Sequence, residues 1–207
     1  CAGIPSTGTT PGAFRIENDV LSKGEIDLLF VEAAVNDDTN HFNYIEQVRG
    51  MEGEVRHARE VYPDVDIVML HFIYDPFITE YANGRIPDVI LNHERVANHY
   101  DIPSIDLAHE IADRMAAGEF TWEKFGGTHP HMMGHKYYAA AIASLFDEMW
   151  RNAPGDTVKA HTLPARKLDD YSYCNGRFVD IRQASYRSGW SYVDAWQPDS
   201  TVQTRPG

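Results

Sequence analysis

Cysteine and positive charge are both scarce in these 207 residues: there are two cysteines, Cys1 and Cys174, and 18 Lys+Arg stand against 31 Asp+Glu, a formal net charge of -13. Two cysteines build no disulfide framework, and their spacing fits no zinc-site pattern. The negative excess repels phosphate backbones, so neither nucleic acid nor an anionic membrane is an expected partner. No apolar run approaches the ~18 residues a membrane span needs, and no basic segment followed by an apolar core opens the chain. A first residue of cysteine has two readings, the lipidated residue of a bacterial lipoprotein or a truncated N-terminus. Truncation is the expectation adopted.

What is present is a core. Apolar side chains make up 43% of the chain, enough for one domain and part of a second. Cys1 to Gly12 has the Gly, Pro, Ser and Thr content of a loop, and a short amphipathic helix is expected over Ala13–Leu21. Ile26–Ala34 (IDLLFVEAA) and Asp66–Ile73 (DIVMLHFI) are apolar on both faces, as parallel strands covered on each side are. Between them Tyr44, Val48, Met51, Val55 and Ala58 recur at steps of three and four, one face of a helix that ends before Pro63. A helix over Asp88–Tyr100, a short strand over Ile102–Ile105, a helix over Asp106–Ala117, a loop over Thr121–Pro130 and a closing helix to about Trp150 complete the pattern. The order β-α-β-α-β-α predicts an α/β chain folded as a three-layer α/β/α sandwich with a parallel sheet, binding ligands at the carboxyl ends of its strands. Past Asn152 the helix periodicity is lost, so 153–168 reads as a linker and 169–207 as the start of a β-rich region. Tyr171, Tyr173, Trp190, Tyr192 and Trp196 suit either sugar stacking or a β-domain core, and core is the expectation.

Three polar clusters fall at strand ends: Gly3 to Gly8 (GIPSTG), Ala34 to Asp37 (AVND) and Gly127 to Pro130 (GTHP). On composition alone, Asn36 to Asn40 is a strand-to-helix loop ending in a helix cap. His129, His131 and His135 form a histidine cluster open to metal binding, but no acidic residue stands between them as in the metalloprotease pattern, so no metal is assigned. Strand alternation would place Glu32, Ala34 and Asn36 on one side. A buried Glu32 needs a partner. It would either orient a catalytic histidine or pair with Arg15 or Arg56; Glu123 is a weaker candidate for the orienting role.

In this order and on this topology, the clusters resemble the later conserved blocks of the SGNH/GDSL hydrolases, with VEAAVND and HPHMMGHKYYA carrying the likeness over roughly residues 1–152. The resemblance implies a flavodoxin-like SGNH fold and a serine esterase that cleaves a carboxylic ester, with an acetyl ester on a carbohydrate as the expected substrate. It implies an oxyanion hole from the Gly3 backbone N–H and the Asn36 side-chain amide, His129 as general base, no metal or organic cofactor, and a secreted or periplasmic location. The physical requirement is direct: a tetrahedral intermediate needs donors aimed at its oxyanion, and an imidazole moves the serine proton. The chain departs from the family pattern at three points. Ala34 stands where glycine is usual, and Gly126 stands where an aspartate should precede His129 by three. No Gly-Asp-Ser segment precedes Gly3, so the nucleophile is expected upstream of residue 1, Ser6 reading as a turn residue. The tail, LDDYSYCNGRF to TRPG, resembles the β-rich extension of some bacterial members, cut short at Gly207. Two rivals stay open: a non-catalytic carbohydrate-binding or scaffold protein on the same fold, and a metal-dependent hydrolase using His129, His131 and His135.

Overall fold

The computed structural model describes residues 1–151, 155, 157–185 and 188–201. Among these the elements run α1 (Thr9–Asp19), β1 (Leu28–Val31), α2 (Ala34–Thr39), α3 (Tyr44–Val61), β2 (Asp66–Leu70), α4 (Asp75–Ala82), α5 (Asp88–His99), β3 (Ser104–Ile105), α6 (Leu107–Ala116), α7 (Trp122–Phe125) and α8 (Met132–Arg151). The strands form one parallel sheet in the order β1-β2-β3, with Leu28 opposite Asp66 and Met69 opposite Ser104.

The central strand shows why the layers form. Ile67 and Met69 point into a core with Ile16 of α1, Met51 and Val55 of α3 and Val96 of α5. Val68 and Leu70 point the other way, towards Phe77 of α4, Leu107 and Ile111 of α6, Phe125 of α7 and Tyr138 of α8. A strand with both pleat faces buried must lie between two helical layers, and burying each such side chain contributes about 1.5–3 kcal/mol. The fold is the three-layer α/β/α sandwich expected.

Local chemistry sets the helix limits. A capping box opens α3: the Asn43 side-chain oxygen accepts from the N–H groups of Ile45 and Glu46, while Glu46 accepts from the Asn43 N–H at 3.1 Å. Helix α1 lies so close to α3 that a Cβ on Gly50 would stand 2.3 Å from Thr9 Oγ1 and 2.7 Å from the Thr9 carbonyl carbon. The first helix begins at Thr9 rather than Ala13, because Pro11 in a first turn loses no intrahelical bond. β1 and β2 end at Val31 and Leu70, three residues short of their apolar runs. The chain then turns into α2 and α4, which with α7, inside the expected loop Thr121–Pro130, make three helices absent from the sequence reading.

The C-terminal expectations need correction. Among the described residues of 169–207 no strand forms; Ile181–Gln183 is a single 3₁₀ turn, and 202–207 lie outside the described residues. Nor does 163–178 behave as linker or separate region. Leu163 and Leu168 pack on the α1/α3 core. The buried Glu52 carboxylate accepts the N–H groups of Leu168 at 2.7 Å and Asp169 at 3.0 Å and the Tyr100 hydroxyl at 2.6 Å. Arg49 pairs with Asp169 at 2.8 Å, and Phe14 meets Tyr173 edge-on at 5.5 Å. These backbone groups are satisfied by α3 side chains, so they have no need of a ladder. Tyr171, Trp190, Tyr192 and Trp196 are exposed, not core.

Gly50→Ala should destabilise the fold by about 1–3 kcal/mol, because the added methyl has to push Thr9 away. Urea unfolding monitored by circular dichroism would check this. An unchanged midpoint would mean that the α1–α3 approach is softer than described.

Candidate active site

The parallel topology directs attention to the carboxyl ends of β1 and β2, where Glu32 and His71 leave the sheet. Asp37, in the first turn and a half of α2, is fully buried. Its Oδ1 accepts the Thr9 N–H at 2.7 Å, and its Oδ2 accepts both the Thr9 hydroxyl at 2.8 Å and the His93 Nε2–H at 3.0 Å. Gly8, the N-cap of α1, has no side chain to cap that helix; Asp37 caps it from another segment. A Cβ at Gly8 would lie 2.0 Å from Asp37 Oδ1, so only glycine fits there. Asn40 adds a second tie, its side-chain N–H donating to the Ser6 carbonyl at 3.0 Å.

These bonds bring the loop containing Gly3 against α2, which carries Asn36. Asn36 is half-buried, and among the described residues no hydrogen bond engages its side-chain amide. Gly3 lies exposed, behind an Arg15 bond to the Ala2 carbonyl at 2.8 Å. Ser6 has a φ of 60° after Pro5, and Thr7 N–H returns to the Ile4 carbonyl, so Ser6 occupies a turn as the sequence implied.

Beneath lies a layer of titratable groups that the sequence reading passed over, apart from Glu32. His71 is fully buried and its Nε2 meets Glu94 Oε1 at 2.7 Å, while the His71 and His93 rings lie 6.0 Å apart. Burial pulls His93 below its ordinary value, against the opposing pull of Asp37. Burial acts to raise Glu94, but hydrogen bonds from His71 and Ser104 outweigh it and leave the carboxyl low. Glu54, with the charges of Asp37 and Glu32 adding to its burial, is held well above the carboxylate range despite Arg15 nearby. The available signal was a histidine interrupting an apolar strand run, at His71, and a His-Glu pair on α5.

Glu32 is partly exposed as a residue, but its Oε1 is cut off from solvent without a hydrogen-bond partner. Burial pushes its carboxyl up to about 7, with His71 and the Phe72, Ala34 and Val35 peptides opposing. Two expectations change. The strand ends at Val31 and α2 starts at Ala34, so alternation does not align Glu32 with Asn36. The arginines are engaged elsewhere, Arg15 with Asp19 at 2.7 Å and Arg56 with Glu60 at 3.5 Å.

Helix α8 passes Phe72 at Tyr138 (ring centroids 4.8 Å apart) and Phe30 at Phe146 (6.1 Å), so it runs antiparallel to the strands. Its N-terminus, with His129 three residues ahead, therefore lies beyond the strands' carboxyl ends. His129 is exposed, and among the described residues no hydrogen bond or ion pair joins it to Glu32, Asn36 or Gly3. Gly126 adopts φ 106°, and a Cβ there would lie 2.3 Å from the His131 N and 2.7 Å from its ring. An aspartate would be strained at this position. Among the described residues no group of three or more His, Cys, Asp or Glu is placed to hold a metal ion. No helix among them is long and apolar enough to cross a membrane.

The fold has a solved counterpart. The chain is 29% identical to a two-domain esterase active on acetylated mannans, with a TM-score of 0.62 over 80% of this chain and 42% of that one. The same description applies to a crystal containing mannopentaose, at 29% identity and TM-score 0.59 over 78% and 41%. The chain thus shares its α/β fold with a carbohydrate esterase while spanning about two fifths of the esterase's length. No protein-family model matches the chain. No curated protein matches it either.

The raised Glu32 carboxyl sets a pH dependence. The folded chain holds this proton more tightly than the unfolded one, so ionising Glu32 costs stability from about pH 4.5 upwards, and the penalty is complete above about 7. Glu32→Gln removes that titration. Its stability relative to wild type should therefore rise between pH 5 and pH 8, as urea unfolding at the two values would report; an equal difference at both would refute the assignment.

Proposed function

We propose that this chain belongs to a serine esterase of the SGNH type that removes acetyl groups from a carbohydrate, a mannan being the first substrate to try. The observation that carries this reading is the likeness to the acetylated-mannan esterase over 80% of the chain. The joining of the Gly3 loop to α2 supports it, because two oxyanion donors from separate segments are useful only if those segments are fixed together.

In this mechanism a serine Oγ, assigned to no residue of this chain, attacks the acetyl carbonyl carbon while His129 takes its proton. The carbonyl π electrons move onto oxygen, which accepts hydrogen bonds from the Gly3 N–H and the Asn36 amide. Collapse breaks the bond to the sugar oxygen, which leaves with the proton from His129. Water, deprotonated by His129, then releases acetate from the acetyl-serine. No metal or organic cofactor has a part in these steps. A secreted or periplasmic location fits a polymeric glycan substrate.

In the intact protein, His129→Ala should reduce acetate release from acetylated mannan by at least a hundredfold, and Asn36→Ala should lower kcat by about 10²–10³. Acetate measured by a coupled assay decides this. A loss of less than tenfold in His129→Ala would remove the base assignment.

A further inference from the structure

We propose that Asp37, held by His93, is the positioning residue of the oxyanion hole: it fixes the arm Gly3–Thr9 to α2 so that the Gly3 N–H and the Asn36 amide address one point. This rests on the esterase reading and adds to it a residue that touches neither substrate nor nucleophile.

The geometry assigns this role to Asp37. Both carboxylate oxygens are used, and Thr9 is gripped at its N–H and its hydroxyl, at 2.7 and 2.8 Å. Two donors on one residue fix rotation as well as distance, so the arm enters α1 in a single direction. His93 is fully buried and donates to Oδ2 at 3.0 Å, which leaves that oxygen little freedom to swing. Gly8 and Gly50 provide the space: a Cβ on the first would strike Asp37 at 2.0 Å, and a Cβ on the second would strike the Thr9 hydroxyl at 2.3 Å. Asn36 is the residue immediately before Asp37 on the same short helix. Any rotation of α2 that frees Asp37 also swings the Asn36 amide. The Asn40 bond to Ser6, at 3.0 Å and one turn along α2, holds the arm at a second point.

A purely structural Asp37 and a positioning Asp37 differ in what they do to catalysis by folded molecules. Errors of about 1 Å in a reacting group's placement can cost a hundredfold. Asp37→Asn puts an N–H₂ where a donor now arrives. Thr9→Val keeps the shape and the N–H but deletes the hydroxyl, and serves where Asp37→Asn fails to fold. In the intact esterase, acetate release and urea unfolding are measured for both, alone and on the Asn36→Ala background, with His129→Ala as reference.

The expected result is a tenfold or greater fall in kcat with KM within twofold in variants that unfold cooperatively. The loss should be smaller when Asn36 is already alanine, since one of the two positioned donors is then gone and only the Gly3 N–H is left to place. Rescue belongs to the conservative partner change: His93→Gln, which keeps a donor, should retain more kcat than His93→Ala. If Asp37→Asn or Thr9→Val keeps wild-type kcat while His129→Ala and Asn36→Ala are inactive, positioning is overturned and the esterase reading stands. If Asn36→Ala and His129→Ala keep wild-type activity, the esterase reading itself falls and takes the positioning role with it.

Discussion

The Asp37 carboxylate is where three segments far apart in sequence meet, and the arrangement of the strand ends depends on it. Thr9 lies 28 residues before it and His93 lies 56 after. Moving a carboxylate out of water costs several kcal/mol in a real protein, and an unpaired one would weaken the fold. Three hydrogen bonds to a charged group, each contributing about 1.5–3 kcal/mol, are of the size needed to offset that cost. The bonds stabilise only in this one arrangement, so the same charge that costs stability fixes which way α1 starts and where α2 lies.

The layer below extends the same logic with less compensation. Glu32, Glu54, Asp37, His71, His93 and Glu94 occupy a volume that apolar side chains would fill more cheaply. Two histidines each meet a carboxylate through Nε2, while the Nδ1 atoms of both lack partners, as does Glu32 Oε1. The fold answers by shifting protons: Glu32 is pushed up to about 7 by burial and His93 is pulled down. Near neutral pH this layer therefore carries less charge than its residue count implies. Such departures from a well-satisfied interior gather at functional sites, where geometry rather than stability is selected.

Much of the framework was legible because it rests on local periodicity. The Met51 and Val55 stripe and the apolar runs around Leu29 and Val68 each report their own element. Asn36 and Gly3 were singled out by resemblance alone. What could not be read depends on distance along the chain. Nothing near Asp37 says that its partner is Thr9, and the polar Asn36-Asp37-Asp38-Thr39 stretch reads as a loop until a remote contact makes it a helix. Tyr171 to Trp196 has strand composition, but among its described residues no strand forms, and Glu52 and Arg49 engage the backbone N–H groups of Leu168 and Asp169 and the charge of Asp169. β-propensity describes the surface a residue fits, and among the described residues the one sheet, β1-β2-β3, pairs no strand from this segment.

The two halves of the candidate site are built to different standards. The proposed oxyanion side has its segments joined by the buried Asp37–Thr9 hydrogen bonds, whereas His129, the proposed base, sits on an exposed turn between α7 and α8. That turn is anchored from below by aromatic packing: Phe125 is buried against Phe120, Trp122 and Tyr138, and its carbonyl accepts the His131 N–H at 2.8 Å. The packing leaves no room at Gly126 for the acid that would normally orient a catalytic histidine. Glu123 has its carboxyl drawn low by hydrogen bonds from its own backbone N–H and from Thr121 at the start of α7. An orienting carboxylate is worth about 10⁴ in kcat where it has been measured in a serine triad. On the esterase reading, a site without one would rely more heavily on its proposed oxyanion donors, Gly3 and Asn36, whose two segments are joined by the Asp37–Thr9 and Asn40–Ser6 bonds.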